Sequence, residues 1–477
     1  MCAPGQTPDA QASCLVSGTT RQGITGALSA CNLLRRAPAA HRIPVMKVLV
    51  VGGGGREHAL AWRLSLDPEV TRVVCAPGNP GISQVAECVA VAATDPDGML
   101  ALVKREGIDL TVVGPEAALE RGMADLFRAQ GHPILGPPKR AAALETSKVF
   151  SKHFMAMASI PTARYVVCDT ADAALAAVSG DQFGFPVVVK ADGLAGGKGV
   201  VVAVDRLEAE AAVRTAMVDR AFGAAGATLV IEECLTGPEV SFFVLADGQR
   251  AIALGSAEDH KRIFDGDRGP NTGGMGAFAP SPLMTPALET TVMRTIVQPV
   301  IDQLHADGGY RGFLYVSLML TPDGPKVIEF NVRFGDPEAQ VVLPLIEGRF
   351  AELLLAAAEG RLPAGDVHIS EGAAVGVVLA SAGYPGRSAA AVPIYGLETP
   401  QPAGVMIFHA GTARQAGQLM TAGGRVLTVV AQGPTHASAM ERAYAVVSEV
   451  QFEGMQFRRD IGSKADDANR RPPTTER

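Results

Sequence analysis

Long apolar runs and a surplus of basic residues are both missing from this sequence. The longest apolar stretches, such as Ala373–Ala380, have the length of a strand and fall far short of the roughly 20 residues that cross a bilayer. The formal net charge of −7 argues against a nucleic-acid-binding protein, which needs a basic face. We therefore expect neither a membrane nor a nucleic acid as a partner.

The cysteines lack the spacing of a disulfide framework or of a zinc site. None of the seven forms a Cys-x-x-Cys pair; they stand at Cys2, Cys14, Cys31, Cys75, Cys88, Cys168 and Cys234. Free thiols in a reducing compartment are the simplest interpretation, so the sequence predicts a cytoplasmic protein.

The length of 477 residues and the apolar content of 47% predict two to four domains, each with its own core. Residues 1–45 fall outside this organisation and carry four arginines but only one acid, Asp9. A disordered leader, or a start codon upstream of a true start at Met46, is the favoured interpretation. An organellar transit peptide is the alternative. The polar tail 465–477 is also predicted to be disordered.

From Lys47 onward, short apolar strands alternate with helices, which predicts a parallel α/β sheet. Strands are expected near 48–51, 73–75, 109–113 and 134–135. Helices are expected near 57–66 and 119–130, and a single helix over 139–158. Residues 46–147 are therefore assigned to an N-terminal α/β domain.

Beyond residue 147, short strands follow one another closely, which is typical of an α+β arrangement. A long amphipathic helix is predicted over 286–307, between strands near 251–255 and 313–320. Residues 148–366 are assigned to a second domain. Residues 367–464 are predicted to form a third, small α/β domain.

The strand predicted at 326–331 carries the most specific chemistry of the chain. Glu329, Asn331 and Arg333 follow at every second residue, so their side chains share one face while Phe330 and Val332 turn into the core. A carboxylate beside an amide oxygen suits a hard cation that also holds phosphates. A guanidinium in the same row would face those phosphates or a substrate carboxylate. A strand with a merely solvated polar face is the alternative.

Four glycines at 52–55 separate the first strand from the first helix, and can bring backbone N–H groups close to an anion. A dinucleotide-binding loop fails in detail, because Glu57 occupies the place of the third glycine and the second strand ends without an acid for a ribose. The sequence predicts a phosphate or small-anion loop here. A tight strand-to-helix turn is the alternative.

Lysines in the second domain predict a triphosphate site. Lys190 closes a buried strand, and Lys198 lies in the glycine-rich hairpin that follows it. No Ser or Thr follows Lys198, which excludes a P-loop. Lys148 is a candidate for a third phosphate-binding charge. A plain β-hairpin turn is the competing interpretation.

The strand that ends at Glu232 and Glu233 indicates a hinge. Leu235 and Glu239 follow it on either side of Gly237. Backbone groups at such a hinge can pair with an adenine edge, and a carboxylate can pair with ribose hydroxyls. Paired acids at a strand end are, however, usually solvated.

A long polar loop follows Asp259 and includes Lys261. It ends in an Asn-Thr-Gly-Gly turn at 271–274. Loops of this length are functional or disordered. Its acids, bases and glycines suit a phosphosugar or an amino acid, with disorder as the alternative.

Together these segments resemble the ATP-grasp superfamily and, within it, the phosphoribosylamine–glycine ligase family. The resemblance runs from Met46 to about residue 462 and rests on motifs in chain order. They are Gly-Gly-Arg-Glu-His (54–58), Ala-Pro-Gly-Asn (76–79), Gly-Pro-Glu (114–116), Lys-Ala-Asp-Gly-Leu (190–194), Gly-Lys-Gly-Val (197–200), Gly-Pro-Asn-Thr-Gly-Gly-Met-Gly-Ala (269–277), Ile-Glu-Phe-Asn-x-Arg-Phe-Gly-Asp-Pro-Glu (328–338), Phe-His-Ala-Gly-Thr (408–412) and Phe-Arg-Arg-Asp-Ile-Gly (457–462).

The resemblance implies an N-terminal substrate-binding domain, an ATP-grasp domain with a mobile lid at about 165–235, and a small C-terminal domain. It implies that ATP drives the joining of glycine to 5-phosphoribosylamine through glycyl phosphate. The products would be glycinamide ribonucleotide, ADP and phosphate, in purine synthesis. The expected partners are small molecules, and the protein is expected to be a monomer.

The resemblance also implies roles for individual residues. ATP would contact Lys148, Lys190, Lys198, Glu232, Glu233, Leu235 and Glu239. Mg²⁺ or Mn²⁺ would be held by Glu329 and Asn331, and the reacting centre would contain Arg333, Asp336 and Lys261. The other substrates would contact Gly53, Gly54, Arg56, Glu57, Asn79, Glu116, Asp259, Asn271, Thr272, Gly273 and Gly274.

Three alternatives stay open at this point. Another ATP-grasp ligase of purine synthesis would use a different carboxylate or a one-carbon substrate. A nucleotide-binding oxidoreductase is disfavoured by the missing ribose acid. A non-catalytic ATP-binding module is disfavoured by the intact row of polar side chains at Glu329, Asn331 and Arg333.

Overall fold

A parallel sheet of five strands forms the first part of the fold. The computed structural model describes residues 45–179, 182–193, 199–306, 308–386 and 390–466. In the order β3-β2-β1-β4-β5, the sheet contains β1 (Met46–Gly52), β2 (Val70–Pro77), β3 (Glu87–Cys88), β4 (Leu110–Val113) and β5 (Ile134–Leu135). Its helices are α1 (Gly55–Ser65), α2 (Pro96–Glu106), α3 (Glu116–Glu120), α4 (Met123–Ala129) and α5 (Lys139–Thr146). Val48, Leu49, Val50 and Val51 are completely buried, as expected for a central strand covered on both faces. The predicted parallel sheet is confirmed.

Two helices predicted as continuous are each broken, so those two predictions were wrong. The stretch 139–158 forms α5 and then α6 (Lys148–Met157). Ser147 interrupts it with an extended backbone, and its hydroxyl accepts the N–H of Phe150 at 3.0 Å, a cap that begins a new helix. The stretch 119–130 is divided at Gly122, whose φ of +77° is ordinary only for glycine. Apolar periodicity runs across both breaks, which is why it concealed them.

A separate sheet of four strands follows, in the order β6-β9-β7-β8. Its strands are β6 (Tyr165–Cys168), β7 (Val187–Ala191), β8 (Val200–Ala203) and β9 (Leu229–Glu233), and all its pairings are antiparallel. Helices α7 (Ala171–Ser179) and α8 (Arg206–Val213) cover it. This unit has its own apolar core, which includes Val189, Val213 and Ile231.

The largest sheet has eight strands, in the order β16-β15-β10-β11-β14-β17-β21-β18. These are β10 (Glu239–Asp247), β11 (Ala251–Asp259), β14 (Gly276–Ala279), β15 (Arg311–Thr321), β16 (Gly324–Asn331), β17 (Ala373–Ala380), β18 (Val405–His409) and β21 (Arg425–Gly433). Two short hairpins stand beside it, β12–β13 (Arg262–Phe264, Arg268–Asn271) and β19–β20 (Thr412–Gln415, Gln418–Thr421). Because β14 pairs with β17, the C-terminal strands continue the sheet that carries Glu329.

Along the chain, further helices lie between the strands of this sheet and after its last strand. Helices α9 (Pro286–Val292) and α10 (Gln298–His305) are joined by a π-helical turn at Met293–Val297, so they form the long helix that the sequence predicted. The others are α11 (Glu338–Val342), α12 (Phe350–Glu359) and α13 (His436–Val447). No helix in the described part of the chain is long and apolar enough to cross a membrane.

An aromatic layer supports the strands that carry the polar row. The rings of Phe243 and Tyr315 stack with centroids 5.1 Å apart, and Phe334 stacks on Phe243 at 5.0 Å. Phe330 and Val332 are almost completely buried, as the alternation predicted. In the pairing of β15 with β16, Ser317 lies opposite Glu329 and Leu318 opposite Val327, so a bulge locally interrupts the strand.

Candidate active site

Glu329 lies at the centre of a group of lysines from three different elements. Its Oε2 accepts a hydrogen bond of 2.8 Å from Nζ of Lys148, at the start of α6. Burial opposes ionisation, but Lys148, Lys261 and Lys190 hold the pKa of Glu329 far below its usual range. The carboxylate is therefore ionised whenever the protein is folded near neutral pH, as a cation ligand must be.

The second residue of the predicted metal pair, Asn331, is fixed by a carboxylate that the sequence did not bring to attention. Its amide nitrogen is best placed to donate to Oε1 of Glu145 at 3.1 Å and to the carbonyl of Phe330 at 3.3 Å, which turns the amide oxygen away from these acceptors. A carboxylate and an amide oxygen fit Mg²⁺ or Mn²⁺ if phosphate oxygens and water complete the shell. Among the described residues, no cluster of three or more His, Cys, Asp or Glu side chains is arranged to hold a metal by itself.

Arg333 is paired within the protein. Its Nη2 donates to Glu145 at 2.6 Å, and its Nε donates to Glu116 at 3.3 Å. Burial works against its charge, but Glu145 and Glu116 raise the pKa of Arg333 above its usual value. The structure thus brings the predicted residues Arg333 and Glu116 together from distant parts of the chain. Glu145 is the carboxylate that connects them to Asn331.

Lys190 shares a carboxylate with a lysine that the sequence did not single out. Both Lys190 and Lys152, from α6, form ion pairs with Glu232, and all three side chains are at most 5% exposed. Lys152 also donates to Oγ1 of Thr162 at 2.8 Å. Burial lowers the pKa of Lys152 to about 8, with Glu232 opposing the shift. A buried acid between two lysines joins α6 to the paired strands β7 and β9.

The adjacent Glu233 faces the other way, as alternation along a strand requires. It accepts hydrogen bonds from the backbone N–H of Arg164 at 3.0 Å and from its Nε at 2.6 Å. Leu235 lies partly buried just beyond β9. Lys198 falls in the gap at 194–198, outside the described residues. Of the three predicted triphosphate lysines, the described residues therefore include Lys148 and Lys190, and their contact with phosphates remains a prediction.

Glu239 and Lys261 form an ion pair of 2.5 Å at the neighbouring ends of β10 and β11. The sequence assigned Glu239 to a ribose and Lys261 to the reacting centre, and the structure places them in contact. Burial opposes the charge of Lys261, but Glu239, Tyr315 and Glu329 raise its pKa well above the usual range. Lys261 thus stays cationic between two acids.

Glu57 fixes the conformation of the first glycine loop, residues 52–55. One oxygen of this buried carboxylate accepts the N–H of Gly54 at 2.6 Å, and the other accepts Nε of Arg56 at 2.6 Å. Arg56 also donates to the carbonyl of Phe334 at 3.3 Å. A Cβ on Gly53 would lie 2.6 Å from the carbonyl oxygen of Gly78, so only glycine fits this approach.

Asn79 uses its whole side chain to hold this loop. Its Nδ2 donates to the carbonyls of Gly53 at 2.9 Å and His409 at 2.8 Å, while its Oδ1 accepts the N–H groups of Gly81 and Ile82, both at 2.9 Å. The amide has no hydrogen-bonding capacity left for a substrate. Asn79 therefore holds the loop in place, and its predicted contact with a substrate would require the side chain to exchange one of these four hydrogen bonds.

The second substrate loop is held from the C-terminal strands. Nη1 of Arg425 donates to the carbonyl of Gly273 at 2.5 Å and to that of Asp336 at 2.6 Å, and Nη2 lies 3.3 Å from Oδ2 of Asp336. The N–H of Gly273 donates to the hydroxyl of Tyr384 at 2.9 Å. Asp336 also accepts from Gln340 at 2.8 Å. Arg425 joins the two predicted groups, although the sequence did not indicate it.

The remaining predicted residues of this loop differ in exposure. Thr272 donates through Oγ1 to the carbonyl of Lys261 at 2.8 Å and accepts the N–H of Gly274 at 3.0 Å. Asn271 is exposed at the end of β13. A Cβ on Gly274, whose φ is +108°, would lie 2.6 Å from Oδ1 of Asp259. The turn can pass this carboxylate only because the residue is glycine.

Asp259 lies among the charged side chains of Glu338, Lys261 and Arg425. Burial raises its pKa to about 8, and Glu338 adds to the shift while Lys261 and Arg425 oppose it. Its buried Oδ1 has no hydrogen-bond partner among the described residues. Glu338, itself buried, accepts from the hydroxyl of Ser241 at 3.2 Å. A buried acid of this kind favours a cationic or hydrogen-bond-donating ligand beside it.

The phosphoribosylglycinamide synthetase family matches three consecutive parts of the chain. Its N domain matches residues 46–145, its ATP-grasp (A) domain 146–339 and its C domain 374–464. The chain belongs to this family. The resemblance inferred from the motifs is confirmed, as is the three-domain ATP-grasp architecture. The finer domain boundaries and the extent of the lid remain predictions.

Curated relatives within this family match this chain over nearly their whole length. Phosphoribosylamine–glycine ligase from Phenylobacterium zucineum is 49% identical over 425 residues, which are 88% of this chain and 99% of that protein. The enzyme of the same name from Vibrio cholerae is 46% identical over 424 residues, or 88% and 98% of the two chains.

Solved structures show the same fold. A crystal structure of phosphoribosylamine–glycine ligase from Thermotoga maritima has a TM-score of 0.76 at 34% identity, over 87% of this chain and 99% of that one. A biotin carboxylase complex from Campylobacter jejuni has a TM-score of 0.67 at 15% identity, over 87% and 93% of the two chains. The second likeness concerns the fold alone. Membership in an ATP-grasp family implies the use of ATP with a divalent cation.

Proposed function

We propose that this member of the family joins glycine to 5-phosphoribosylamine at the expense of ATP. A carboxylate oxygen of glycine attacks the γ-phosphorus of ATP, which gives glycyl phosphate and ADP. The amine of phosphoribosylamine then attacks the acyl carbon, the C–O bond to phosphate breaks, and glycinamide ribonucleotide, phosphate and a proton are released. The high identity to ligases of this name, over 88% of the chain, supports the proposal.

The observation that carries the proposal is the ion pair of Lys148 with Glu329, together with the influence of two further lysines on the charge of this carboxylate. Lys148 of helix α6 contacts Glu329 at 2.8 Å, and Lys190 of strand β7 and Lys261 of the loop after β11 add to the positive charge that keeps Glu329 ionised. A lysine cluster around a cation ligand neutralises the charge that develops during phosphoryl transfer. Little covalent chemistry is then required of the protein.

Glu329 and Asn331 are the residues that would hold Mg²⁺ or Mn²⁺. The ion would neutralise the β- and γ-phosphates when bound. The sheet with its own core, β6-β9-β7-β8, would serve as the lid that excludes water from glycyl phosphate. Lys190 at the end of β7 would move with it.

The substrate loops would receive the other two substrates. Arg333 is the candidate for the glycine carboxylate, since it is the cation next to Asn331, and it would have to exchange part of its pairing with Glu116. The loops at 52–55 and 271–274 would receive the phosphate and ribose of phosphoribosylamine. Lys261 would lie between the acyl phosphate and Asp259.

The test follows the oxygen atoms. With ¹⁸O in the glycine carboxylate, the route through glycyl phosphate transfers one labelled oxygen to the released phosphate. Mass spectrometry of the phosphate, in a reaction containing ATP, glycine and phosphoribosylamine, is expected to show that single label. ADP release that formate or bicarbonate supports and glycine does not would instead assign the chain to another ATP-grasp ligase.

A further inference from the structure

The motif Phe-Arg-Arg-Asp-Ile-Gly at 457–462 has no part in the chemistry described above. It nevertheless contains the largest completely buried side chain among the residues that the structure describes. That side chain is Arg458, whose guanidinium is 0% exposed. Its Nε and Nη2 donate to the two oxygens of Asp460 at 2.7 and 2.6 Å, a bidentate pair. Its Nη1 donates to the carbonyl of Arg262 at 3.1 Å and to Oδ1 of Asp267 at 2.7 Å. Arg262 and Asp267 belong to the hairpin β12–β13, which follows Lys261.

A second row of contacts joins the same two segments. Oδ2 of Asp460 accepts the N–H of Gly266 at 2.9 Å. The N–H of Arg459 donates to Oδ1 of Asp265 at 2.7 Å. The C-terminal segment thus contacts the hairpin on its backbone and on its side chains, and Asp460 bonds to both Arg458 and the turn.

The other end of this hairpin, next to Thr272, is hydrogen-bonded to the backbone of Lys261. The N–H of Thr272 donates to the carbonyl of Lys261 at 2.7 Å, and Oγ1 of Thr272 donates to the same carbonyl at 2.8 Å. One step further, His260 donates its N–H to Gly276 and accepts the N–H of Met275 at its carbonyl, both at 2.9 Å. Any displacement of the hairpin therefore moves the backbone that carries Lys261 and the turn at 271–274.

Outside the contacts with 458–460, the hairpin is held by the buried side chain of Ile263, which packs with Met275 and Ala380, and by an ion pair between Lys464 and Asp267. All four residues of β13 are exposed, and Phe264 of β12 is 56% exposed. A two-stranded hairpin is marginally stable by itself in water. The buried guanidinium of Arg458 supplies the fixed point, because four hydrogen bonds from a rigid planar group restrict its position and orientation together.

We propose that Arg458 is a positioning residue, which holds the hairpin β12–β13 so that Lys261 and the turn at 271–274 face the reacting groups. The inference rests on the proposed ligase function for its consequence on turnover, but its structural part does not depend on that function. It assigns to the C-terminal domain the task of fixing a substrate loop of the ATP-grasp domain.

The test uses the variant Arg458→Met in the full-length protein. A misplacement of about 1 Å costs on the order of 100-fold in rate, so kcat/KM for ADP release in the presence of glycine and phosphoribosylamine is expected to fall by about that factor. The Kd for ADP is expected to stay unchanged, because Lys148 and Lys190 lie on other elements. Added guanidinium is expected to restore part of the turnover, since it can refill the site between Asp460 and Asp267.

Hydrogen exchange supplies the readout that is independent of turnover. The amides of 262–274 are expected to exchange faster in Arg458→Met, while those of β10 and β15 keep their protection. A wild-type protein without ligase activity would refute the proposed function, but the comparison of hydrogen exchange would still test the positioning role of Arg458. Unchanged exchange in a folded variant would refute the positioning role.

Two further variants keep the proposal testable if Arg458→Met does not fold. Asp267→Asn removes the charge that pairs with both Arg458 and Lys464, at a side chain that is 42% exposed, and asparagine tolerates the φ of +53° at this position. It is expected to show the same changes in smaller degree. Arg459→Ala is the matched control, because only the backbone N–H of Arg459 contacts the hairpin. Normal turnover and exchange in Asp267→Asn, or equal losses in Arg459→Ala, would overturn the proposal.

Discussion

Replacing Glu329 by Gln removes one negative charge and keeps the shape of the side chain. The carboxylate accepts Lys148 at 2.8 Å, and the two side chains are 30% and 18% exposed. Exposed pairs contribute about 0.2–1 kcal/mol and removal of one partner from a buried pair costs about 3–5 kcal/mol, so a partly buried pair should cost roughly 1–2 kcal/mol of unfolding free energy. The variant should therefore fold.

Turnover is expected to fall far more than stability. Glutamine cannot supply the charged oxygen that holds a divalent cation, and the three lysines lose their shared counter-charge. Loss of one such electrostatic group costs about 100- to 1000-fold in kcat. Glycine-dependent ADP release, measured over a Mg²⁺ titration, should show this loss together with a higher Mg²⁺ requirement.

The pH dependence of stability gives a second measurement on the same variant. Lys148, Lys261 and Lys190 keep the pKa of Glu329 below its usual range against the opposing effect of burial. The stabilising contribution is thus present above the ordinary pKa of glutamate and is lost as the pH falls towards the folded-state value. The difference in unfolding free energy between wild type and Glu329→Gln should therefore narrow on acidification.

The matched control removes a carboxylate from the same pair of strands without touching the site. Asp323, in the turn between β15 and β16, is 84% exposed and lies 3.8 Å from Lys326. Asp323→Asn should leave both turnover and Mg²⁺ requirement unchanged. Near-normal turnover of Glu329→Gln at every Mg²⁺ concentration would show that the metal assignment is wrong.

Three further predictions concern the groups around this centre. Asp259→Asn should raise the unfolding free energy at pH 7 by about 2–4 kcal/mol, because burial raises the pKa of Asp259 to about 8 and folding is penalised once the carboxyl group of the unfolded chain ionises. In urea unfolding, this gain in stability should disappear towards pH 4. A gain that stays constant with pH would contradict the raised pKa of Asp259. Lys152→Met should weaken ADP binding roughly tenfold in calorimetry, because Glu232 would then pair with Lys190 alone and draw it away from the phosphates. An unaltered Kd for ADP would show that Lys152 has no influence on nucleotide binding. Asn79→Ala should lower stability by about 1–3 kcal/mol in denaturant unfolding, because it leaves four loop groups without their partner; a stable variant that only raises the KM for phosphoribosylamine would instead favour direct substrate contact.

The sequence predicted best where local spacing determines geometry. Alternation along 326–331 predicted that Glu329 and Asn331 share a face, with Phe330 in the core, and the structure agrees. The glycine loop was recognised as a strand-to-helix connection, and the parallel sheet followed from the alternation of strands and helices. The helix breaks were missed, because Ser147 and Gly122 act through backbone geometry within an unbroken apolar pattern.

The residues that the sequence missed have no local pattern to reveal them. Lys152 and Glu145 look like ordinary polar positions of amphipathic helices, and Arg425 like the first residue of a strand. Each becomes important only through a partner far away in the chain: Glu232, Arg333 and Asp336 respectively. A stronger indication was available for Arg458, which lies in a motif of its own, but its role depends on what it contacts.

By itself, the sequence determined the family, the shared face of Glu329 and Asn331 and the strand that presents them, because these depend on residue type and on a period of two. The tertiary structure alone decided how charges are shared. Lys148 pairs with Glu329 while Lys190 and Lys261 add to its stabilisation, Arg333 lies between two acids, and Arg458 contacts the hairpin that follows Lys261. The reason is physical. Burial and the distance between charged groups set their pKa and position, and both arise only when remote segments pack together.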